Sequence, residues 1–267
     1  MTHTEERIDW QQALDEALVT PGDMGSTYSR FYNYSYLNQV LLRLQEVREP
    51  VATYKRWQAI GRQVVKGAVA KEIVRPVIVQ AVDGEGEKVQ RLVGFKKTRS
   101  VFPLSDTVGE DLPTPEVPGW DIKQALGKLS IHEVEFDAIN GNLQGYSRGT
   151  EIAINPIAVR PTKTRFHEIG HVVLGHTTGT QHEEYKWHRG ILEFQAEATA
   201  YLAMKELGQL DEETAVASRG YIQHWLDGER PPDEVIRQVF VATDRIIQAG
   251  RFAIERAGAF EPDPSAG

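Results

Sequence analysis

The chain has 267 residues, 40% of them hydrophobic and 25% charged. That is ordinary globular usage, and it excludes a largely disordered, collagen-like or coiled-coil chain. There is no cysteine, which excludes disulfides, thiolate metal ligands and cysteine nucleophiles and suits a reducing compartment. No apolar run reaches the roughly 18 residues of a membrane span. The start, MTHTEERIDW, lacks the apolar stretch of a secretory signal. The expected location is the cytoplasm, with no membrane partner.

The net charge of −8 hides an uneven distribution. Residues 1–50 carry 4 Lys and Arg against 8 Asp and Glu, residues 51–100 carry 11 against 4, and residues 101–267 carry 15 against 26. A basic segment inside an acidic protein is a candidate footprint for a phosphate backbone. A solvated basic sheet face accounts for the charge equally well.

In chain order, residues 5–19 read as a helix, with Ile8, Leu14 and Leu18 at helical spacing and Pro21-Gly22 as the stop. Asn33 to Glu46 reads as a second helix with Leu37, Val40, Leu41 and Leu44 on its apolar stripe. Tyr54 to Gly61 reads as a short third helix closed by glycine. Ile73 to Val82 and Val89 to Leu104 are rich in β-branched residues and flank Asp83-Gly84-Glu85-Gly86, a hairpin signal. Prolines 103, 113, 115 and 118 among acidic residues mark a connection between domains. Beyond it, Asp121 to Leu129 reads as a helix, and Ile131 to Phe136 and Glu151 to Ile154 as strands. Asn140 to Gly149, with three glycines, reads as a loop. Thr162 to Leu174, Leu192 to Leu207, Glu212 to Leu226 and Pro231 to Ala257 read as helices. The expectation is an α+β protein with a small helix-plus-antiparallel-sheet domain over residues 1–110. A mostly helical domain is expected over 119–258, and a disordered tail over 259–267.

Five of the eight histidines, at 167, 171, 176, 182 and 188, fall within 22 residues. The segment His167-Glu168-Ile169-Gly170-His171 is an HExxH motif. On a helix, positions i and i+4 sit one above the other, so His167 and His171 can present two imidazoles to one ion. Glu168 can reach a water on that ion without being a ligand. Zinc lowers the pKa of bound water to about 7, and a carboxylate can then take the proton. The flanks Phe166 and Val172-Val173-Leu174 are apolar, and imidazoles with a carboxylate in a buried helix are costly unless something satisfies them.

A third protein ligand is needed to leave one position open. Glu193 and Glu197 again stand at i and i+4, and Ala196, Ala198 and Ala200 let their helix approach closely. One carboxylate should bind the metal and the other should orient a histidine; spacing alone does not choose between them. His176 is a competing ligand, ranked lower because a third histidine usually follows a longer, glycine-broken spacing. His182 and His188 read as polar loop residues.

In the first domain aromatics interleave with basic residues: Tyr34, Tyr36, Tyr54, Lys55, Arg56, Trp57, Arg62, Lys66 and Lys71. Bases of a single strand stack on aromatic faces while Lys and Arg neutralise phosphates. Tyr36, Tyr54 and Trp57 are the candidate platforms, with Arg56, Lys66, Lys96, Lys97 and Arg99 as the phosphate contacts. A core role for Trp57 and some of the tyrosines is the plainer alternative.

YNYSYLNQVLLRLQ, VATYKRWQAIGRQVVKGA and VGFKKTRSVFPLSDTVGEDLP resemble the N-terminal single-stranded-DNA-binding domain of ArdC-type antirestriction proteins. The elements that carry the resemblance are Asn38, Trp57 to Gly67, and Val101 to Gly109. FHEIGHVVLGH followed by EFQAEATAYLA resembles the zincin-like metallopeptidase domain fused behind it. The resemblance implies single-stranded DNA as a partner, a protein or peptide substrate, and one zinc per chain, with other divalent ions able to substitute. It places the third ligand at Glu197 and leaves Glu193 as the orienting or alternative residue. The chain departs at Lys66-Gly67-Ala68-Val69, where the family often has K-G-E-K. The implied role is protection of mobile-element DNA from restriction. A different class would be a regulatory zinc protease, similar to the ImmA/IrrE group, that cleaves a repressor without binding DNA. A third is a degenerate peptidase whose metal only stabilises the fold.

Overall fold

The computed structural model describes residues 8–19, 34–82, 87–112, 119–138, 142–178, 181–225 and 230–252. These fall into two compact units, one built on Thr27–Glu116 and the other on Trp10–Ser26 with Val117–Glu255. The architecture is α+β, as expected. The turn at 83–86, much of the proline-rich connection and the tail lie outside the described residues.

In the first unit, helix α2 (Tyr36–Leu44) is capped by Ser35, whose side chain accepts from the Asn38 N–H at 3.4 Å. Strand β1 (Val51–Thr53) leads into the short helix α3 (Tyr54–Ala59), capped by Thr53. Strands β3 (Lys71–Val82) and β4 (Lys88–Pro103) form the long antiparallel hairpin that the β-branched runs predict, and β1 pairs with the far end of β4. The sheet order is β1-β4-β3. A second, two-stranded sheet pairs β2 (Gln63–Val64) with β5 (Thr107–Val108).

Among the described residues no strand lies beside the outer edge of β3, and side-chain amides from α2 and the residue that caps its end take that place. Asn38 donates from Nδ2 to the Val74 carbonyl at 2.9 Å and accepts from the Val74 N–H at 2.7 Å. Gln45 treats Glu72 the same way, both bonds at 2.8 Å. Two turns of helix thus satisfy backbone groups that would otherwise be left unpaired. Beneath lies a core of Tyr34, Leu42, Val47, Val51, Ile73 and Val101. Trp57 fills a second cluster with Ala52 and Val64 and donates from Nε1 to the Phe102 carbonyl at 2.9 Å.

Arg62 is buried and bonds Thr107 Oγ1 at 2.8 Å and the Thr107 carbonyl at 3.2 Å. Gly109, at φ 151°, passes so close that a Cβ would stand 2.8 Å from the Gly61 carbonyl oxygen. The glycine, arginine and threonine of the recurring motifs therefore close this unit upon itself.

In the second unit, helix α4 (Ile122–Leu129) starts at the Asp121 cap, whose carboxylate accepts from the Gln124 N–H at 2.8 Å. A three-stranded sheet has the order β6-β8-β7, with β6 (His132–Val134) parallel to β8 (Glu151–Ile154) and β7 (Gly145–Arg148) antiparallel to it. Strand β7 corrects the expectation of a loop over Asn140 to Gly149. Helix α5 (Pro161–Leu174) begins on a proline and ends at Gly175 in the left-handed region, φ 80°.

Helix α6 runs from Gln181 to Glu206, so His182 and His188 sit on a helix rather than in a loop. Helices α7 (Glu212–Trp225) and α8 (Asp233–Gly250) follow. The chain leaves α8 before Ala257, because Arg251 is extended and bridges Trp120. The core joins Ile131, Ile152, Phe166, Ile169, Ala200, Ala203, Met204 and Ile246.

The first helix, α1 (Trp10–Val19), was expected with the first domain but packs in the second unit. Gln11 Nε2 donates to the Pro231 carbonyl at 2.6 Å and Lys205 Nζ to the Ala17 carbonyl at 2.8 Å. The ring of Trp10 lies 6.3 Å from that of Phe240.

Candidate metal centre

Helices α5 and α6 meet where glycine faces alanine. A Cβ on Gly170 would stand 3.1 Å from the Ala196 carbonyl oxygen and 3.3 Å from its Cα, so the HExxH helix lies nearly backbone to backbone against α6. That contact brings the two i, i+4 pairs together. His167 Nε2 and His171 Nε2 are 3.1 Å apart, and Glu193 Oε2 lies 3.3 Å from the first and 3.8 Å from the second. Two nitrogens bound to one tetrahedral zinc at 2.0–2.1 Å stand about 3.3 Å apart. His167, His171 and Glu193 therefore form a donor set able to hold a divalent ion.

Glu197 stands elsewhere. Its Oε2 faces His167 Nδ1 at 3.1 Å, and its Oε1 pairs with Lys163 Nζ at 2.9 Å. It orients the histidine from behind. In this geometry Glu193, not Glu197, lies with the two Nε2 atoms. His176 does not face the donors either. Its Nδ1 lies 3.0 Å from His171 Nδ1, on the far side of that ring, and its Nε2 lies 3.2 Å from Gln195 Oε1.

Glu168 is buried, and Ser147 Oγ on β7 donates to its Oε2 at 2.7 Å. The strand can come this near because position 145 is glycine: a Cβ there would stand 2.6 Å from Thr164 Cγ2 and 2.9 Å from the Ala153 carbonyl oxygen. A cleft of about 780 Å³ opens over the site, its lining including Tyr146, Arg148, Thr177 and Arg189.

The electrostatics favour a positive charge at the donors. Burial pulls the His167 imidazole down, but its hydrogen bonds to Glu193 and Glu197 and the charges of Glu168 and Glu197 lift it to about 9. Burial would push the Glu197 carboxyl up, but the His167 hydrogen bond and the Lys163 charge hold it below the usual carboxylate range. Burial, with His171 beside it, pushes His176 down to about 4, so at neutral pH this ring is uncharged.

Four participants lay beyond the sequence reading: Ser147, Lys163, Gln195 and Gln45. Each is a common polar residue in no recognisable pattern, and only the packing of distant segments gives it a partner.

The expected nucleic-acid residues divide by exposure. Tyr54, Lys66 and Lys96 are exposed, and Arg56 is half-buried. Arg99 pairs with Glu72 at 2.9 Å and Lys97 with the same carboxylate at 3.8 Å. Tyr36, Asn38 and Trp57 are 0%, 2% and 0% exposed. Stacking by Tyr36 or Trp57 and a strand contact by Asn38 do not fit those positions; the three residues build the core and the edge of β3.

Fold and site together define an α+β protein with an HExxH histidine pair and a carboxylate gathered between two helices. Residues 2–102 match the family model of the N-terminal domain of anti-restriction factor ArdC. Over that stretch the chain is similar to the ArdC N-terminal domain, in line with the resemblance to ArdC-type antirestriction proteins. No curated protein matches the chain. Among solved structures it is similar to the antirestriction ArdC protein from the R388 plasmid in its metal-free form, with 18% identity, a TM-score of 0.48, and coverage of 91% of this chain and 95% of that one. The Mn(II)-bound structure of that protein matches with 16% identity, a TM-score of 0.47, and coverage of 91% and 98%.

Proposed function

We propose that the chain is a single-stranded-DNA-binding protein of the antirestriction type whose second unit is a zinc metallopeptidase centre. The observation that carries the peptidase half is the convergence of His167 Nε2, His171 Nε2 and Glu193 Oε2 next to a Glu168 carboxylate that stands outside the donor set. His167, His171 and Glu193 would hold the ion and leave a fourth position open toward the cleft. Zinc in such a site supplies a Lewis acid and lowers the pKa of its water to about 7.

The remaining work falls to the chain's own groups. Ser147 occupies one oxygen of Glu168 and fixes the plane of the carboxylate, which leaves the other oxygen as proton acceptor. Glu197 holds the proton of His167 on Nδ1 and keeps Nε2 as the donor face. The cleft would receive the peptide substrate.

The DNA half is supported by the ArdC N-terminal match over residues 2–102 and by the basic excess of residues 51–100. Lys66 and Lys96 would neutralise phosphates, Arg56, Lys97 and Arg99 would assist, and Tyr54 would offer a stacking face. The repressor-cleaving alternative is not favoured, since it has no use for an ArdC-type domain.

The test uses the full chain. After zinc loading and dialysis, the reading expects about one zinc per chain. With a roughly 30-nucleotide single strand, the affinity should fall with salt at a log–log slope of about −0.7 per phosphate neutralised. A chain that retains no divalent ion contradicts the peptidase half, and one that ignores the strand at low salt contradicts the DNA half.

A further inference from the structure

His176, which the sequence offers as a ligand, sits behind the site in a continuous line of hydrogen bonds. From the donor face outward, His171 Nδ1 meets His176 Nδ1 at 3.0 Å and His176 Nε2 meets Gln195 Oε1 at 3.2 Å. Gln195 Nε2 then donates to Gln238 Oε1 at 2.6 Å, and Gln238 Nε2 donates to Glu234 Oε1 at 3.1 Å. His176 and Gln195 are buried, whereas Gln238 and Glu234 lie on the exposed face of α8.

The line has a direction, and its outer end sets it. An ionised carboxylate only accepts, so Gln238 must turn its NH₂ to Glu234 and its carbonyl inward. Gln195 must then donate to that carbonyl and turn its own carbonyl to His176. His176 therefore carries its proton on Nε2 and presents a bare Nδ1. The partner of that bare nitrogen, His171 Nδ1, must bear a proton, and His171 Nε2 is left as a lone pair aimed at His167 and Glu193. Reversing any one link sets two carbonyls, two bare nitrogens or two N–H groups against each other inside the fold, or turns an amide oxygen onto Glu234.

We propose that His176, Gln195 and Gln238 are positioning residues, a one-way hydrogen-bond line anchored on Glu234 that fixes the tautomer in which His171 can bind a metal. Each histidine of the HExxH pair is then set by a carboxylate: His167 directly by Glu197, and His171 through three side chains by Glu234. The inference rests on reading His167, His171 and Glu193 as ligands, but the tautomer itself is a property of the chain without metal.

Position 238 offers a clean test because it is exposed and lies two links from His176 and three from His171. Gln238→Glu places an acceptor-only group opposite Gln195 and preserves the direction. Gln238→Lys places a donor-only group there, which turns the Gln195 amide over and drives the His171 proton to Nε2. Long-range ¹H–¹⁵N correlation spectra of the metal-free full chain read the tautomer. The wild type and Gln238→Glu should show His171 protonated on Nδ1, and Gln238→Lys should shift it toward Nε2. Zinc affinity by chelator competition should fall 10- to 100-fold in Gln238→Lys and stay near wild type in Gln238→Glu. A wild-type His171 protonated on Nε2, or one tautomer and one affinity across all three proteins, overturns the proposal. If the tautomer responds as stated yet the wild type binds no zinc, the line stands and the ligand reading fails.

Discussion

His167 Nδ1 stands 3.1 Å from Glu197 Oε2, on the opposite edge of the ring from the nitrogen that faces His171 and Glu193. An imidazole cannot turn both edges to one ion, so this contact separates the roles of two glutamates a single helical turn apart. Glu193→Ala should lose most of the zinc, and Glu197→Ala should weaken binding about 10- to 100-fold while still reaching one ion per chain at saturation. Metal content after equilibrium dialysis distinguishes them; equal loss from the two variants would contradict the division.

Glu168 is held by Ser147 and stands outside the donor set. Glu168→Gln should therefore keep the zinc and the fold and lose hydrolysis of a susceptible protein substrate. Ser147→Ala should lower that hydrolysis more mildly, by freeing the carboxylate to rotate. Loss of zinc from Glu168→Gln would make it a ligand.

Trp57 and Tyr54 are three residues apart and should behave oppositely. Trp57→Ala removes a fully buried ring and should cost about 3–5 kcal/mol of stability in the first unit, read as a lower unfolding midpoint. Tyr54→Ala should leave that midpoint nearly unchanged and cost about 1–3 kcal/mol of single-strand binding. Lys66→Ala and Lys96→Ala should each reduce the salt slope by about 0.7. Unchanged DNA binding in all three exposed variants would remove this surface from the account.

Gly145 is extended backbone packed against α5. Gly145→Ala would force a methyl to 2.6 Å from Thr164 and 2.9 Å from a carbonyl oxygen, and overpacking of this kind costs about 1–3 kcal/mol. It should also pull β7 and Ser147 away from Glu168, so thermal stability and hydrolysis should fall together. A variant as stable as wild type would show that the close approach is not required.

Much of this was legible in the sequence. The β-branched runs around Asp83-Gly84-Glu85-Gly86 predict β3 and β4, and HExxH gives both the helix and the histidine pair. The apolar stripe read for α2 holds at Leu37 and Val40, which are buried, whereas Leu41 and Leu44 are half-buried and Leu42, outside the stripe, is buried. What was not legible depends on distance in space. Gly145 reads as a loop signal in a segment with three glycines, but it serves a contact, so strand β7 and Ser147 were missed with it. Glu193 and Glu197 share a helix face, and only the offset of α6 along α5 separates them. Trp57 and Tyr36 belong to a segment that interleaves aromatic and basic residues, but the two helices that carry them turn both rings inward. Asn38, one of the residues that carry the family resemblance, completes the edge of β3.

The most direct measurement is anomalous diffraction at the zinc edge from crystals of the zinc-loaded chain. The account predicts one peak per chain, within bonding distance of His167 Nε2, His171 Nε2 and the Glu193 carboxylate, with Glu197 still on His167 Nδ1 and His176 on His171 Nδ1. A peak bonded to Glu197 or to His176, or no peak between α5 and α6, would contradict it.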